Sequence, residues 1–246
     1  MTRIDELTPA IGHPGPLLIA LPGCGCSPRI FDALQLDGVA VQALDWCAGP
    51  GPHDPASVAA RLAQALAARG GPTYLAGHSA GGAIAALAAA HLPGRIDALI
   101  ISNTGVHSRA HGDPGLPERI RTRWDAAAQQ DFLRGCFLHP PPAALWHALT
   151  DYLAALPRQA LLQAVLGLRA TDLGSHLPAI RMPVLIAHGR DDHRRRIDDA
   201  QALAQGIAGA QLALLPGGHT PMVDDPAAYR QALQAFLARV RCASSA

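Results

Sequence analysis

The chain has 246 residues, of which 49% are hydrophobic and 16% are charged, so it can bury a large core and lacks the composition of a disordered protein. Its 20 Lys and Arg residues nearly balance its 19 Asp and Glu residues, and the formal net charge of +1 argues against nucleic acid as a partner. No apolar run reaches the roughly 18 residues that a membrane-spanning helix needs, which argues against a membrane protein.

The cysteines do not form the pattern of a disulfide framework. They are Cys24, Cys26, Cys47, Cys136 and Cys242. An odd number of scattered cysteines in a chain of this size predicts reduced thiols. Cys24-x-Cys26 is too closely spaced for a zinc knuckle, and neither a second pair nor a phosphate-binding loop follows, so we expect no metal and no organic cofactor. The first residues lack the pattern of a secretory signal, and we expect a cytoplasmic enzyme of undetermined oligomeric state.

Short, continuous apolar runs recur along the chain. They are Leu17–Leu21, Val39–Leu44, Thr73–Ala76, Ala98–Ile101, Val184–Ala187 and Leu212–Leu215. Continuous rather than alternating apolar character is typical of strands that are covered on both faces, as in parallel sheets.

Helical segments alternate with these runs. They are Ser57–Ala68 with Ser57 as the expected N-cap, Ala80–Leu92, Ile197–Gln205 and Pro226–Val240. Strands that alternate with helices indicate βαβ units. The sequence therefore predicts an α/β fold with a mostly parallel, doubly wound sheet.

The alternation is interrupted by a helical insertion over residues 103–178. Helices are expected at Glu118–Leu133, Ala143–Leu156 and Arg158–Leu168, with no convincing strand among them. We predict one domain over residues 1–246, with a core at about 1–102 and 179–246 and the insertion as a cap.

The pentapeptide Gly77-His-Ser-Ala-Gly81 matches G-x-S-x-G and lies between a predicted strand and a predicted helix. A serine on such a sharp turn has a strained backbone and needs small neighbours. The turn projects its hydroxyl out of the sheet, toward the positive N-terminal end of the helix. We therefore predict that Ser79 is a nucleophile and not a capping residue of an ordinary glycine-rich turn.

A serine hydroxyl needs a base, and the base needs a carboxylate to orient it. His219 follows the last predicted strand and precedes the final helix, where an open α/β sheet places its chemistry. Asp191 and Asp192 follow the preceding strand, and because they are adjacent, at most one of them can orient His219. We expect His78 to point away from Ser79 and His188 to pack in the core.

An oxyanion hole completes the predicted site. One donor is the backbone amide of Ala80, directly after the nucleophile. The other is the amide of Cys24, in a loop whose glycines allow close backbone approach. A nucleophilic Cys24 is the minor alternative, since no partner for it is evident.

Four motifs in this order resemble the α/β-hydrolase superfamily, specifically its small esterase-like members with a helical cap. Leu21-Pro-Gly-Cys-Gly25 resembles the oxyanion loop, with Pro22 where histidine is usual. The other three motifs are Gly77–Gly82, His188–Asp192 and Gly218–Pro226. The resemblance favours Asp192 over Asp191 as the acid, and a serine nucleophile argues against the dehalogenase and epoxide-hydrolase branches.

The resemblance implies a hydrolase that cleaves a carboxylic ester of a small or medium acyl substrate. A thioesterase, a lactonase or an amide hydrolase would use the same triad, and a non-catalytic ligand-binding protein is a third possibility. Arginines of the insertion are candidates to bind a substrate carboxylate or phosphate, or else they face water. They include Arg109, Arg119, Arg121, Arg123 and Arg134.

Overall fold

The computed structural model describes residues 2–4, 15–109 and 112–244. Its centre is one sheet in which seven strands run parallel in the order β1-β3-β2-β4-β5-β6-β7. The strands are β1 (Thr2–Arg3), β2 (Leu17–Leu21), β3 (Ala40–Asp45), β4 (Thr73–His78), β5 (Ala98–Ser102), β6 (Val184–Gly189) and β7 (Gln211–Leu215). The α/β prediction is confirmed, and the described sheet is entirely parallel.

All six predicted apolar runs are strands. Every residue of β2, β4, β5 and β6 is buried, which explains why these runs are continuously apolar. The two-residue strand β1 was missed, because so short a segment has no readable periodicity.

The predicted helices are present, with shifted ends. In the core they are α1 (Pro55–Leu66), α2 (Ala80–His91), α7 (Ile197–Gly206) and α9 (Pro226–Ser244). The one-turn helix α8 (Pro221–Asp224) has no counterpart among the predicted helices. The prediction of Ser57 as the N-cap of α1 was wrong. The N-cap is Asp54, whose carboxylate accepts a hydrogen bond from the Ser57 amide at 3.0 Å. Pro55 then occupies the first helical position, where its missing N–H costs nothing.

Helix α2 lies in the interior of the fold, between α1 and strands β2, β4 and β5. Ten of its residues, Ala80 to Ala89, are buried. Alanine and glycine dominate this helix, because small side chains let the helix approach the sheet closely. Its N-terminus is held directly behind the end of β4, where Ser79 lies.

Four helices occupy the chain between β5 and β6. They are α3 (Leu116–Thr122), α4 (Ala126–Arg134), α5 (Ala143–Ala155) and α6 (Arg158–Ala170). The single helix expected over 118–133 is split, because the backbone of Arg123 is not helical, with φ −144° and ψ 69°, and Asp125 caps α4 through the Ala128 amide. The structure describes one isolated bridge here, between His107 and Asp172.

The insertion packs on the core. Helix α5 contacts the short 3₁₀ helix Pro28–Phe31, and α6 contacts α1 and α2. The buried hydroxyl of Tyr152 on α5 donates to Asp45 Oδ1 at 2.8 Å, at the carboxyl end of β3. These contacts hold the insertion over the edge of the sheet where the predicted site residues lie.

Among the described residues, no helix is both long enough and apolar enough to cross a membrane. The cytoplasmic location, and the division into core and cap, stay predictions.

Replacing Asp54 with alanine removes the side-chain acceptor at the start of α1. We expect Asp54→Ala to lower the free energy of unfolding by about 1 kcal/mol in urea titrations. Asp151→Ala, an exposed aspartate within α5, is the matched control and should change it by less than about 0.5 kcal/mol. Equal effects of the two substitutions would contradict the assigned cap.

Candidate active site

Ser79 lies on a strained turn between β4 and α2. Its φ is 53° and its ψ is −116°, in a region that non-glycine residues rarely occupy. Surrounding hydrogen bonds hold this conformation: the Ser79 amide donates to Ser102 O at 2.9 Å, and Thr104 Oγ1 donates to Ser79 O at 2.8 Å. Ser79 is half-buried and lines a cavity. Its hydroxyl has no hydrogen-bond partner among the described residues.

Glycines around the turn permit the close approach of three backbone segments. A Cβ atom on Gly77 would collide with the carbonyl of Gly81, and one on Gly81 would collide with the carbonyl of Leu21. A Cβ atom on Gly82 would strike Thr104 Oγ1, the group that clamps the turn. The glycines in the motif are therefore required by contact distances rather than by flexibility.

His219 and Asp192 are brought together by the loops after β7 and β6. His219 Nδ1 lies 2.8 Å from Asp192 Oδ2, and both residues are buried. The carboxylate accepts, so Nδ1 carries the proton of the neutral ring, and Nε2 retains its lone pair. His219 lines the same cavity as Ser79, although no hydrogen bond joins these two side chains within the described residues.

The Asp192 carboxylate is completely engaged. Besides His219, Oδ2 accepts from Asn103 Nδ2 at 2.7 Å, while Oδ1 accepts from the amides of Arg194 at 2.7 Å and Arg195 at 3.0 Å. Burial alone would raise the pKa of Asp192, but the hydrogen bond and charge of His219 and the hydrogen bonds of Asn103 and Arg195 lower it well below its ordinary value. Asp191 is exposed, so the geometry separates the two adjacent aspartates.

The sequence reading missed Asn103. This buried residue has a φ of 50° and bridges Asp192 to Gly218 O, which its Nδ2 reaches at 3.1 Å. Its position directly after β5, at the same sheet edge as Ser79, is the signal that could have identified it.

The loop after β2 lies against Ser79. A Cβ atom on Gly23 would come within 3.2 Å of the Ser79 Cβ atom, so the two backbones are adjacent. Among the described residues, the amides of Cys24 and Ala80 donate no hydrogen bond to protein acceptors. Trp46 Nε1 donates to Pro22 O at 2.8 Å and supports the loop at the position where the resemblance expects a histidine. The sequence reading did not find this tryptophan.

One cavity of about 770 Å³ is lined by three of the predicted residues. Ser79, Cys24 and His219 line it from the core, and α3, α4 and α6 line it from the insertion. Burial, together with the neighbouring Cys47 and Cys136, raises the pKa of the Cys24 thiol, which opposes a nucleophilic role for Cys24 at neutral pH. Within the described residues, no cluster of His, Cys, Asp or Glu is arranged to hold a metal ion.

Most of the insertion arginines have carboxylate partners. Arg109 pairs with Asp172, Arg119 with Asp113, Arg121 with Glu118 and Arg134 with Asp131. Each of these four side chains is substantially exposed. This agrees with the alternative hypothesis that the insertion arginines face water. Arg119 and Arg123 also line the cavity.

His78 is a second residue that the sequence reading undervalued. It is buried, its Nε2 donates to His219 O at 2.9 Å, and its ring packs edge-on against the His219 ring with centroids 5.0 Å apart. Its Nδ1 is buried without a partner in the part of the chain that the structure describes. Burial and the neighbouring His219 lower the pKa of His78 to about 3.

Comparison with known proteins places these observations in a family. Residues 4–232 match the model of the Alpha/beta hydrolase family. A protein of Variovorax paradoxus (strain S110), named as a candidate carbamate hydrolase, RutD, is 31% identical over 196 residues, which cover 75% of this chain and 73% of that protein. The polyketide synthase ThaQ of Burkholderia thailandensis is 32% identical over an alignment of 257 positions, which covers 92% of this chain but only 12% of that protein.

A solved structure of similar shape is the esterase EaEST from Exiguobacterium antarcticum. Its TM-score is 0.82, its sequence identity is 20%, and the match covers 93% of this chain and 92% of that chain. At this identity the likeness concerns the fold alone.

The low pKa of His78 predicts a loss of stability in acid. The unfolded chain binds a proton at a histidine below about pH 6.5, whereas the folded protein resists it until about pH 3. The stability contributed by neutral His78 is therefore complete above pH 6.5 and decreases as the pH falls. Between about pH 7.5 and pH 4.5, wild type should lose about 2 kcal/mol more than His78→Gln in urea unfolding. His147→Gln, at an exposed site, should follow wild type, and a His78→Gln protein with the wild-type slope would contradict the assignment.

Proposed function

The chain belongs to the α/β-hydrolase family, and from that premise we propose that it is a serine hydrolase that cleaves a carboxylic ester of a small or medium acyl substrate through an acyl-enzyme intermediate. Family membership and the relative named as a candidate carbamate hydrolase support hydrolase activity. The ester mechanism and the roles of individual residues are the proposal.

In the first half of the proposed reaction, Ser79 Oγ attacks the substrate carbonyl carbon. His219 Nε2 accepts the hydroxyl proton and then passes it to the departing alcohol. Asp192 holds the imidazole in the tautomer that leaves Nε2 free, and it stabilises the imidazolium while the proton is on the ring.

The negative charge of the tetrahedral intermediate is stabilised by the amides of Cys24 and Ala80. These donors have no competing protein acceptor among the described residues, and Ala80 begins helix α2, whose positive end points to the same place. In the second half, His219 activates a water molecule, which attacks the acyl-enzyme, and the acid leaves as Ser79 regains its proton.

The observation that carries the proposal is the 2.8 Å hydrogen bond between His219 Nδ1 and Asp192 Oδ2, in the cavity that also exposes a strained Ser79. If Ser79 only capped a helix and His219 were only a surface residue, neither would need a buried carboxylate. Asp192 is buried and accepts four hydrogen bonds, one of them from His219. Strain at Ser79 is also costly, by about 1–3 kcal/mol, and such conformations concentrate at functional sites.

A second candidate keeps the same residues but changes the bond to a carbamate. It is favoured by the 31% identity to a protein whose name includes carbamate hydrolase. The chemistry differs only in the leaving group and in the resonance of the carbonyl.

Replacing Ser79 with alanine tests the nucleophile. We expect Ser79→Ala to lower kcat for a p-nitrophenyl ester by at least about 1000-fold, to abolish the burst of p-nitrophenol and to abolish labelling by a fluorophosphonate probe. Ser175→Ala, at an exposed site outside the cavity, should retain labelling and burst. Labelling that persists in Ser79→Ala would refute the role of Ser79. A wild-type protein that takes no label would favour the non-catalytic alternative.

A matched panel tests the bond. An ester, a thioester, a lactone and a carbamate of one acyl size should be compared by kcat/KM with the wild-type protein. We expect the ester to be hydrolysed at least about tenfold faster than the carbamate, because carbamate resonance stabilises the ground state and nitrogen is a poorer leaving group. The reverse order would replace the ester proposal with the second candidate.

A further inference from the structure

The cavity has an uneven distribution of charge. Among the described residues, its lining includes the arginines 119, 123, 169, 194 and 195 and the aspartates 113, 125 and 131. All three aspartates have partners, since Asp113 pairs with Arg119, Asp131 pairs with Arg134, and Asp125 caps α4. The lining therefore has more positive than negative charge, and among the described residues none of its aspartates forms an ion pair with Arg123, Arg169, Arg194 or Arg195.

Two arginines of this lining are fixed by neutral partners. Arg169 donates to the carbonyls of Pro114 and Asp113, whereas Arg194 lies on the loop that carries Asp192. Its Nε donates to Gly135 O at 2.6 Å, its Nη2 donates to Phe132 O at 3.0 Å, and its guanidinium lies 5.3 Å from the centre of the Phe132 ring. All these partners are neutral. No carboxylate lies within ion-pair distance of Arg194 among the described residues, and Nη1 has no protein acceptor there.

The lack of a side chain at Gly135 leaves space for the Arg194 guanidinium. A Cβ atom on Gly135 would lie 2.6 Å from Arg194 Nη2, so a larger residue would displace it. Arg194 also follows Asp192 by two residues, and its own amide donates to the Asp192 carboxylate at 2.7 Å. The side chain is therefore anchored at both ends, by the acid loop and by the end of α4.

Arg195 and Arg123 are less suited to bind a ligand. Arg195 is buried, donates to His107 O and Ser108 Oγ, and lies in the field of Asp199 and Asp192. Arg123 has no carboxylate partner among the described residues, but it is exposed and no side-chain hydrogen bond described for it fixes its guanidinium. A pre-positioned cation binds an anion with less loss of side-chain entropy than a mobile one.

We propose that Arg194 is a specificity-determining residue that selects acyl substrates bearing a carboxylate. The inference rests on the hydrolase function proposed above and names its substrate class. The free edge of the guanidinium, with Nη1 and the second Nη2 proton, binds the carboxylate while the acyl carbonyl lies at Ser79. The charge of Arg194 also reaches the residues beneath the site, since it contributes to lowering the pKa of His78.

The test compares two esters of equal acyl length, p-nitrophenyl butyrate and p-nitrophenyl hemisuccinate, which differ by a terminal carboxylate. We expect wild type to have a higher kcat/KM for the hemisuccinate. Arg194→Gln, which keeps a hydrogen-bonding side chain but loses the charge, should lower the hemisuccinate-to-butyrate ratio by about 10- to 100-fold, through the hemisuccinate value. Arg194→Lys should give an intermediate ratio, because it keeps the charge but not the planar fork.

Arg121→Gln is the matched control. Arg121 lies on α3, pairs with Glu118 and does not line the cavity, so its loss should leave the ratio unchanged. Raising the NaCl concentration to about 0.5 M should reduce the wild-type ratio but not that of Arg194→Gln.

A purely structural role for Arg194 predicts a different result. Arg194→Gln would then lower Tm and both kcat/KM values by the same factor, and this outcome would overturn the proposal, as would a wild-type ratio of one or less. Calorimetric titration with glutarate separates this failure from a failure of the hydrolase function. Glutarate that binds wild type and not Arg194→Gln, without ester turnover, would refute the hydrolase and support the anion site. Ester turnover without a preference for the hemisuccinate would support the hydrolase function and refute the anion site.

Discussion

The arrangement of the site depends on one buried carboxylate. Asp192 accepts hydrogen bonds from His219, Asn103 and two backbone amides of its own loop. A buried carboxylate is costly unless its oxygens are satisfied, and here four donors from three separate loops satisfy them. The charge therefore organises the loops after β5, β6 and β7 around itself, and the tautomer of His219 follows from that arrangement.

Hydrogen bonds connect the insertion to the loops that surround Asp192. Asp224 accepts the Gly218 amide at 2.9 Å and the Leu138 amide at 3.2 Å, so one carboxylate connects the histidine loop to the insertion. Thr220 Oγ1 donates to Cys136 O at 2.6 Å, and Arg194 reaches carbonyls at the end of α4. The part of the cavity lining that the insertion supplies is thus held by the loops that carry Asp192 and His219.

The arginines near the cavity differ in whether a carboxylate pairs with them. Arginines that the sequence suggested as anion binders are mostly paired with nearby carboxylates, and exposed pairs of this kind contribute little energy. Arg194 lies outside the insertion in sequence, yet it faces the cavity with neutral partners only. A guanidinium without a carboxylate partner, in the cavity that Ser79 also lines, is an arrangement that a carboxylate substrate would complete.

The sequence by itself determined the parallel sheet, the strained serine and the order of serine, acid and histidine, because apolar periodicity and glycine spacing are local properties of the chain. It also predicted Asp192 over Asp191, although only by resemblance. The tertiary structure decided the rest: that Asn103 bridges Asp192 to the loop of His219, that Trp46 supports the loop after β2, and that Arg194, from outside the insertion, faces the cavity with neutral partners. These contacts join residues that are from 24 to 115 positions apart. No local pattern encodes such pairings, since they arise from how parallel strands bring their carboxyl ends to one edge of the sheet.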